Sequence, residues 1–342
     1  MKRIHDIFDF MISVKVLHIA YLTLKRRAKK RNRHRIKRFE RNLWDNLLAL
    51  HEQLKAGVWK MHDYKHMFRM ECGKMREIYY SSNFGDLVVQ CAIGLVLGTL
   101  LNKSLIEDTY AGIPKKSLHK AMRRMFRKIK SFGDKPIFGY KIDFKQFYAS
   151  IDHDKLKEAL AHKIKDKRVI ALLFNIIDNC PIKVGLPIGN LLSPILANFF
   201  LNPLDRLAKN IGLAYYRYND DTLAISTSKY ILHVFMNKVH ELADKLKLTI
   251  KKTEQIYPIE RFGFDLMGYV VQRNRVIVRR RIERHVRRNA FRFKKHPTKH
   301  RARSIASQWG WFKRVKSGKQ FWFNNFGWTM VNFNQIQVAL CS

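Results

Sequence analysis

Ala214-Tyr215-Tyr216-Arg217-Tyr218-Asn219-Asp220-Asp221-Thr222-Leu223-Ala224-Ile225-Ser226 reads as two strands joined by a tight acidic turn. Aromatic and β-branched residues dominate both arms, which suits a pleated, half-buried surface. Asn and Asp tolerate φ > 0, so ordinary hairpin chemistry explains the turn by itself. Two adjacent carboxylates nevertheless repel each other unless a cation sits beside them. Another carboxylate, Asp143, lies upstream in the strand-like run Gly139-Tyr140-Lys141-Ile142-Asp143-Phe144. Acids presented at strand ends are what a divalent-metal phosphoryl-transfer site requires. On these residues alone, turn and metal site both remain open.

Composition favours the metal site. The chain of 342 residues carries 67 Lys and Arg against 27 Asp and Glu, a net charge of +40. Such an excess costs the compact state self-repulsion, which a polyanionic partner relieves. Nucleic acid is the expected partner. An anionic membrane surface fits less well, because the charge runs the whole length instead of flanking one anchor. Hydrophobic content of 46% supports a sizeable core in two or three subdomains. The four cysteines (Cys72, Cys91, Cys180, Cys341) lack any CxxC pairing, so reduced thiols in a cytosolic protein are expected. Residues 7–24 read as one amphipathic helix, its acids being wrong for a signal peptide, and no transmembrane helix is expected.

Residues 25–38 hold ten Lys or Arg and no acid. A solvated run explains this, as does a phosphate-facing arm, which the apolar periodicity on both sides favours. Leu43, Leu47, Leu50 and Leu54 predict a helix over 39–54, ended at Gly57. A hairpin is expected over 67–80, turning at Glu71-Cys72-Gly73-Lys74 with Lys74 and Arg76 on its returning strand. Helices are expected over 84–101, 118–129, 153–165, 168–177, 192–209 and 229–247. Leu248-Thr249-Ile250 and 262–272 read as strands, the latter centred on Gly268-Tyr269. After Arg279 the chain alternates basic and aromatic residues to Trp328, a mixture that stacks bases, binds phosphates or simply forms a core with a basic rim.

Taken in order, these segments resemble a reverse transcriptase over roughly residues 20–330. A short Tyr-x-Asp-Asp pattern is weak alone and strong in this sequence of boxes. The resemblance implies an α+β right-hand polymerase: a basic N-terminal arm (1–38), fingers (39–138), a palm with an antiparallel sheet (139–272) and a helical thumb (273–342). No maturase, endonuclease or RNase H segment is expected beyond it. The box at Asp143 resembles the first palm motif. It implies Asp143 and the Phe144 carbonyl as metal ligands, with Tyr148 as the gate that crowds the sugar 2′ position. Tyr218-Asn219-Asp220-Asp221 implies Asp220 as main ligand of two Mg²⁺ ions, replaceable by Mn²⁺, and Asp221 as the supporting third carboxylate of the metal site.

Gly185-Leu186-Pro187-Ile188-Gly189-Asn190 resembles the second palm motif, whose glycine permits close approach to the nascent base pair. Most relatives carry Gln where Ile188 stands. Ile followed by Gly-Asn resembles the error-prone enzymes of diversity-generating retroelements, since an apolar side chain forfeits hydrogen-bonded discrimination. Ser193-Pro194 instead resembles group II intron and general bacterial enzymes, which leaves a phage-defence enzyme with a dedicated noncoding RNA as the alternative. A non-catalytic RNA-binding scaffold is a third possibility. Lys74 and Arg76 are implied at the incoming triphosphate, Lys252 as acid toward pyrophosphate, and Met267-Gly268-Tyr269 as primer grip. Implied partners are dNTPs, template RNA, the cDNA product and a small basic helical accessory protein.

Overall fold

The structure, a computed structural model, describes residues 3–28, 33–71, 74–266, 268–315 and 318–326. Trp328, Met267, Cys72, Gly73, Cys341 and part of the basic run (29–32) lie outside the described residues.

Ten strands form three sheets among the described residues. In chain order they are β1 Tyr64–Glu71, β2 Lys74–Ser81, β3 Thr109–Tyr110, β4 Phe138–Ile142, β5 Ala214–Tyr218, β6 Asp221–Ser226, β7 Gln255–Pro258, β8 Phe264–Leu266, β9 Tyr269–Val271 and β10 Val276–Val278. The acidic turn joins β5 to β6 at the centre of a five-stranded sheet ordered β3-β5-β6-β4-β7. All its pairings are antiparallel except β3 with β5.

Period-2 alternation sends Tyr140, Ile142, Tyr215 and Ala224 to one face of this sheet and Tyr216, Leu223 and Ile225 to the other. The first face packs on helices at His153–Lys163, Ser193–Phe200, Asn202–Asn210 and Lys229–Lys245, and its core continues into the N-terminal helices. The second face is covered by the Leu118–Ser131 helix, the β8–β10 sheet and the helices Arg280–Lys295 and Lys299–Phe312. Each face therefore has its own core, and the helices beyond Arg279 share theirs with the sheet.

Several elements differ from the sequence expectation, each for a local reason. The 7–24 segment breaks at Ser13, whose hydroxyl caps a new helix, Val14–Arg27, by accepting from Val16 N. The helix expected from residue 39 begins at Leu43, behind a separate Arg33–Glu40 helix. The 192–209 segment divides at Leu201, because Pro203 lacks the N–H a continuous helix would need. The 262–272 run is a hairpin, β8 and β9, with Gly268 in its turn at φ +94. Residues 248–250 form only a short antiparallel bridge, Ile250 opposite Phe144.

The Phe84–Asn102 helix stands where the sequence predicts one over 84–101. By length and composition alone it could cross a membrane. In the fold it is instead a core helix against Val14–Arg27 and Ser193–Phe200. Its buried polar groups are satisfied by protein: Asp86 accepts from Ser81 Oγ at 2.7 Å and His62 N at 3.2 Å, and Gln90 accepts from Leu191 N at 3.3 Å.

Candidate active site

The β5–β6 hairpin closes through a two-residue turn, Tyr218 pairing directly with Asp221. Asn219 takes the left-handed conformation (φ 57) that its short amide side chain tolerates. Asp220 does not, so only one turn residue uses that freedom. This places the Asp220 carboxyl at the sheet end, half-buried, where Asp143 leaves β4. Burial pushes the Asp220 carboxyl above the usual carboxylate range, and the neighbouring Asp143 charge pushes it further. The positive fields of Lys251 and Arg76 oppose that rise. Two acids thus face each other across the turn, partly compensated by cations from separate segments.

Asp221 follows in β6 with the parity of Leu223, the opposite face from Thr222, and there it meets Lys141 Nζ at 3.4 Å. Among the described residues no three His, Cys, Asp or Glu side chains gather as a metal-binding group. Asp143 and Asp220 are the two whose charges act on each other at the sheet end. Their donor set is all oxygen, the type hard divalent cations take, with water and substrate oxygens completing the shell.

The register of the bridge beside Asp143 decides between two adjacent lysines. Lys145 N donates to Thr249 O at 2.8 Å and Lys251 N to Asp143 O at 2.9 Å, enclosing the Phe144–Ile250 pair. Lys251 Nζ then reaches Asp143 Oδ2 at 2.7 Å, whereas Lys252 points away and is exposed. Of the two, it is Lys251 that the bridge brings to Asp143. Phe144 itself is buried against Phe147, the ring centroids 6.0 Å apart.

Tyr148 is half-buried beside this pair. Burial first, and then the Asp220 charge, push its phenol up to about 12. Leu186 N donates to Tyr148 O at 2.7 Å, so the second-motif loop is fastened to the segment that carries the ring. Gly189, at φ +112, presses on the fingers: a Cβ there would lie 2.4 Å from Tyr79 O. The neighbouring Ile188 carbonyl accepts from Tyr79 N at 2.8 Å. The close approach this glycine permits is to strand β2, which also carries Lys74 and the exposed Arg76. Ser193-Pro194 has a plain structural task, starting a helix while the buried Ser193 hydroxyl donates to Pro187 O at 2.8 Å.

Tyr269 is fully buried. Its hydroxyl donates to Trp311 O at 3.0 Å and meets His119 Nε2 at 3.1 Å. A Cβ on Gly268 would strike Ile282 and Trp311, both at 2.8 Å. These two residues of the expected primer grip are thus a strut between the β8–β9 hairpin and the C-terminal helices, and the Tyr269 ring is closed to a nucleic acid strand.

Residues 65–271, more than half of the chain, match the family model described as "Reverse transcriptase (RNA-dependent DNA polymerase)". The chain belongs to the reverse transcriptase family. It is 26% identical over 208 residues to the group II intron-encoded protein LtrA of Lactococcus lactis subsp. cremoris, covering 57% of this chain and 33% of that protein. To the "Uncharacterized 91 kDa protein in cob intron" of Schizosaccharomyces pombe it is 29% identical over 176 residues, 49% of this chain and 21% of that one. It thus spans about a third or less of the length of these curated relatives. The fold is that of telomerase from Candida tropicalis, solved with a TWJ fragment of telomeric RNA: TM-score 0.52 and 13% identity over 86% of this chain and 60% of that one. The Candida albicans telomerase, solved with the same kind of fragment, gives 0.51 and 9% over 84% and 65%. This reverse transcriptase is therefore a right-hand polymerase in architecture.

Proposed function

We propose that this protein is an RNA-directed DNA polymerase that copies a cognate structured RNA into cDNA by nucleotidyl transfer at Asp143 and Asp220. The observation that carries this is the coupled acid pair at the β5–β6 turn, with Tyr148, Lys251 and Arg76 within its electrostatic reach. Asp143, Asp220, Asp221 and the Phe144 carbonyl would hold two Mg²⁺ ions, or Mn²⁺ in their place. Once bound, such ions lower the pKa of the primer 3′-hydroxyl and offset the charge on the triphosphate.

The protein's own groups do the rest. Tyr148 crowds the sugar 2′ position and excludes ribonucleotides. Arg76 and Lys74, on the strand held against Gly189, clamp the incoming triphosphate. The Lys251 ammonium is the proton source for departing pyrophosphate, the role the sequence assigned to Lys252. Asp221 supports the turn through Lys141. Primer grip remains the proposed task of the 267–269 turn, exercised through its backbone. The arm, fingers, palm and thumb divisions stand as a proposal about motion, since both hydrophobic cores run across them.

In the finer reading, the enzyme serves a diversity-generating retroelement. Ile188 supports it: a half-buried apolar side chain at the second-motif loop offers the nucleotide no hydrogen bond. A defence enzyme with a dedicated noncoding RNA is the competing role. A small basic accessory protein would meet a chain of net charge +40, so RNA must lie between the two. Incubation with RNA template, dNTPs and Mg²⁺ should yield DNA, and cDNA from the native RNA should carry errors opposite adenine. Absence of synthesis on every template, native RNA included, sinks the polymerase assignment. A uniform error spectrum sinks the retroelement role alone.

A further inference from the structure

A second charged assembly lies directly beneath the acidic turn. Arg217 points to the helix-covered face of the sheet, the parity of Tyr215, and is fully buried. Its Nε and Nη2 donate to Asp205 Oδ1 and Oδ2 at 2.6 and 2.7 Å, a two-pronged pair with a carboxylate that is also fully buried. The same guanidinium donates to Asn198 Oδ1 and Asn198 O, each at 3.0 Å. One more bond leaves the cluster: Arg217 Nη1 donates to Asn219 O at 3.0 Å.

That last acceptor is the main-chain carbonyl joining Asn219 to Asp220. A peptide unit is planar, so fixing its carbonyl fixes the direction in which Asp220 leaves the turn. The cluster is itself anchored at two further points. Asp205 Oδ2 accepts from Thr109 Oγ1 at 2.6 Å, and Asn198 Nδ2 donates to Ala111 O at 3.0 Å. β3, the second-motif helix, the Asn202–Asn210 helix and the acidic turn therefore meet at one guanidinium.

We propose that Arg217 is a positioning residue, its guanidinium locked by Asp205 and Asn198 so that it holds the Asn219–Asp220 peptide, and with it the Asp220 carboxylate, in register with Asp143. This rests on the assignment of Asp143 and Asp220 as the cation-binding pair. A pair this deeply buried is a poor source of stability, and apolar side chains of similar volume often replace one at no loss. Its retention here is explained by the geometry it imposes on the turn.

Two variants test this. Arg217→Lys keeps the charge for Asp205, but a single ammonium has no planar fork to serve carboxylate and turn carbonyl together. Arg217→Met with Asp205→Leu removes both charges and releases the turn. Mn²⁺ affinity is read by electron paramagnetic resonance on the protein without nucleic acid, beside Tm, RNA binding and dNTP incorporation. The expected result is folded protein with unchanged RNA binding, Mn²⁺ affinity at least tenfold weaker, and synthesis reduced by a factor of about 10 to 1,000 through kcat, partly recovered at high Mn²⁺. Folded variants with wild-type Mn²⁺ affinity overturn the proposal. Collapse of both variants also overturns it, by assigning the cluster to folding alone. Wild-type protein that binds Mn²⁺ yet makes no DNA counts against the polymerase assignment and leaves the Mn²⁺ comparison to decide the role of Arg217.

Discussion

Asp205 and Asp220 lie on opposite sides of one guanidinium and are treated in opposite ways. Asp205 is sealed from solvent, and its two oxygens receive three donors from Arg217 and Thr109. Asp220 is half-buried and feels the like charge of Asp143, with a backbone hydrogen bond and the fields of Lys251 and Arg76 offsetting part of that cost. The first carboxylate is fully compensated by the protein. The second is kept under-compensated, which destabilises the apo turn and gives a cation something to gain.

The comparison breaks most sharply at Asp220. Asp220→Asn should reduce DNA synthesis by about 1,000-fold or more, the scale of a group acting only in the transition state, with RNA binding retained in a filter or mobility assay. Asp205→Asn should act on the fold instead. Removing one partner of a buried pair leaves an uncompensated charge, so a loss of about 3–5 kcal/mol is expected in urea unfolding. If Asp205→Asn is well tolerated, the two carboxylates are less different than the packing indicates.

Lys251 and Lys252 offer a smaller contrast. Lys251→Ala should slow incorporation by about 100-fold or more, the usual range for a positioned proton donor, while Lys252→Ala should stay near wild type. Equal effects would show that the bridge register at Phe144–Ile250 does not govern chemistry. Tyr148→Ala should relax sugar selectivity by about tenfold or more, read as ribonucleotide incorporation in a primer-extension gel, with little change in Tm.

The smallest effect is on the apo protein. A carboxyl whose folded-state pKa is raised contributes stability at acidic pH, below its unfolded value, and loses it as pH rises through the folded value. Ionised Asp220 is thus a cost at neutral pH. Asp220→Asn should raise Tm slightly at pH 7 in chelator, and the gain should vanish near pH 3. A drop in Tm at pH 7 would mean the turn depends on that charge.

Much of the site could be read from residue types. Asp220 and Asp143 were legible because strand alternation and turn chemistry are local, while Tyr148 was singled out by the resemblance of its box; the fold puts Tyr148 within reach of the Asp220 charge. Arg217 was visible as a cation inside an apolar strand, though its partners Asn198 and Asp205 lie 12 or more residues away. That Lys251 and not Lys252 meets Asp143 was not legible, because adjacent residues of an extended segment face opposite sides and only pairing fixes the parity. Tyr269 was assigned to the primer grip by resemblance, whereas its burial depends on Trp311, 42 residues on.

By itself the sequence determined the strands, the acidic turn, the basic surface and the order of the palm motifs, since these follow from periodicity, turn propensity and net charge. The tertiary structure decided which carboxylates couple, which lysine approaches them and what holds the turn from below. Those outcomes depend on register and on donors converging from distant segments in a water-poor interior, where a shift of one residue exchanges a buried partner for solvent.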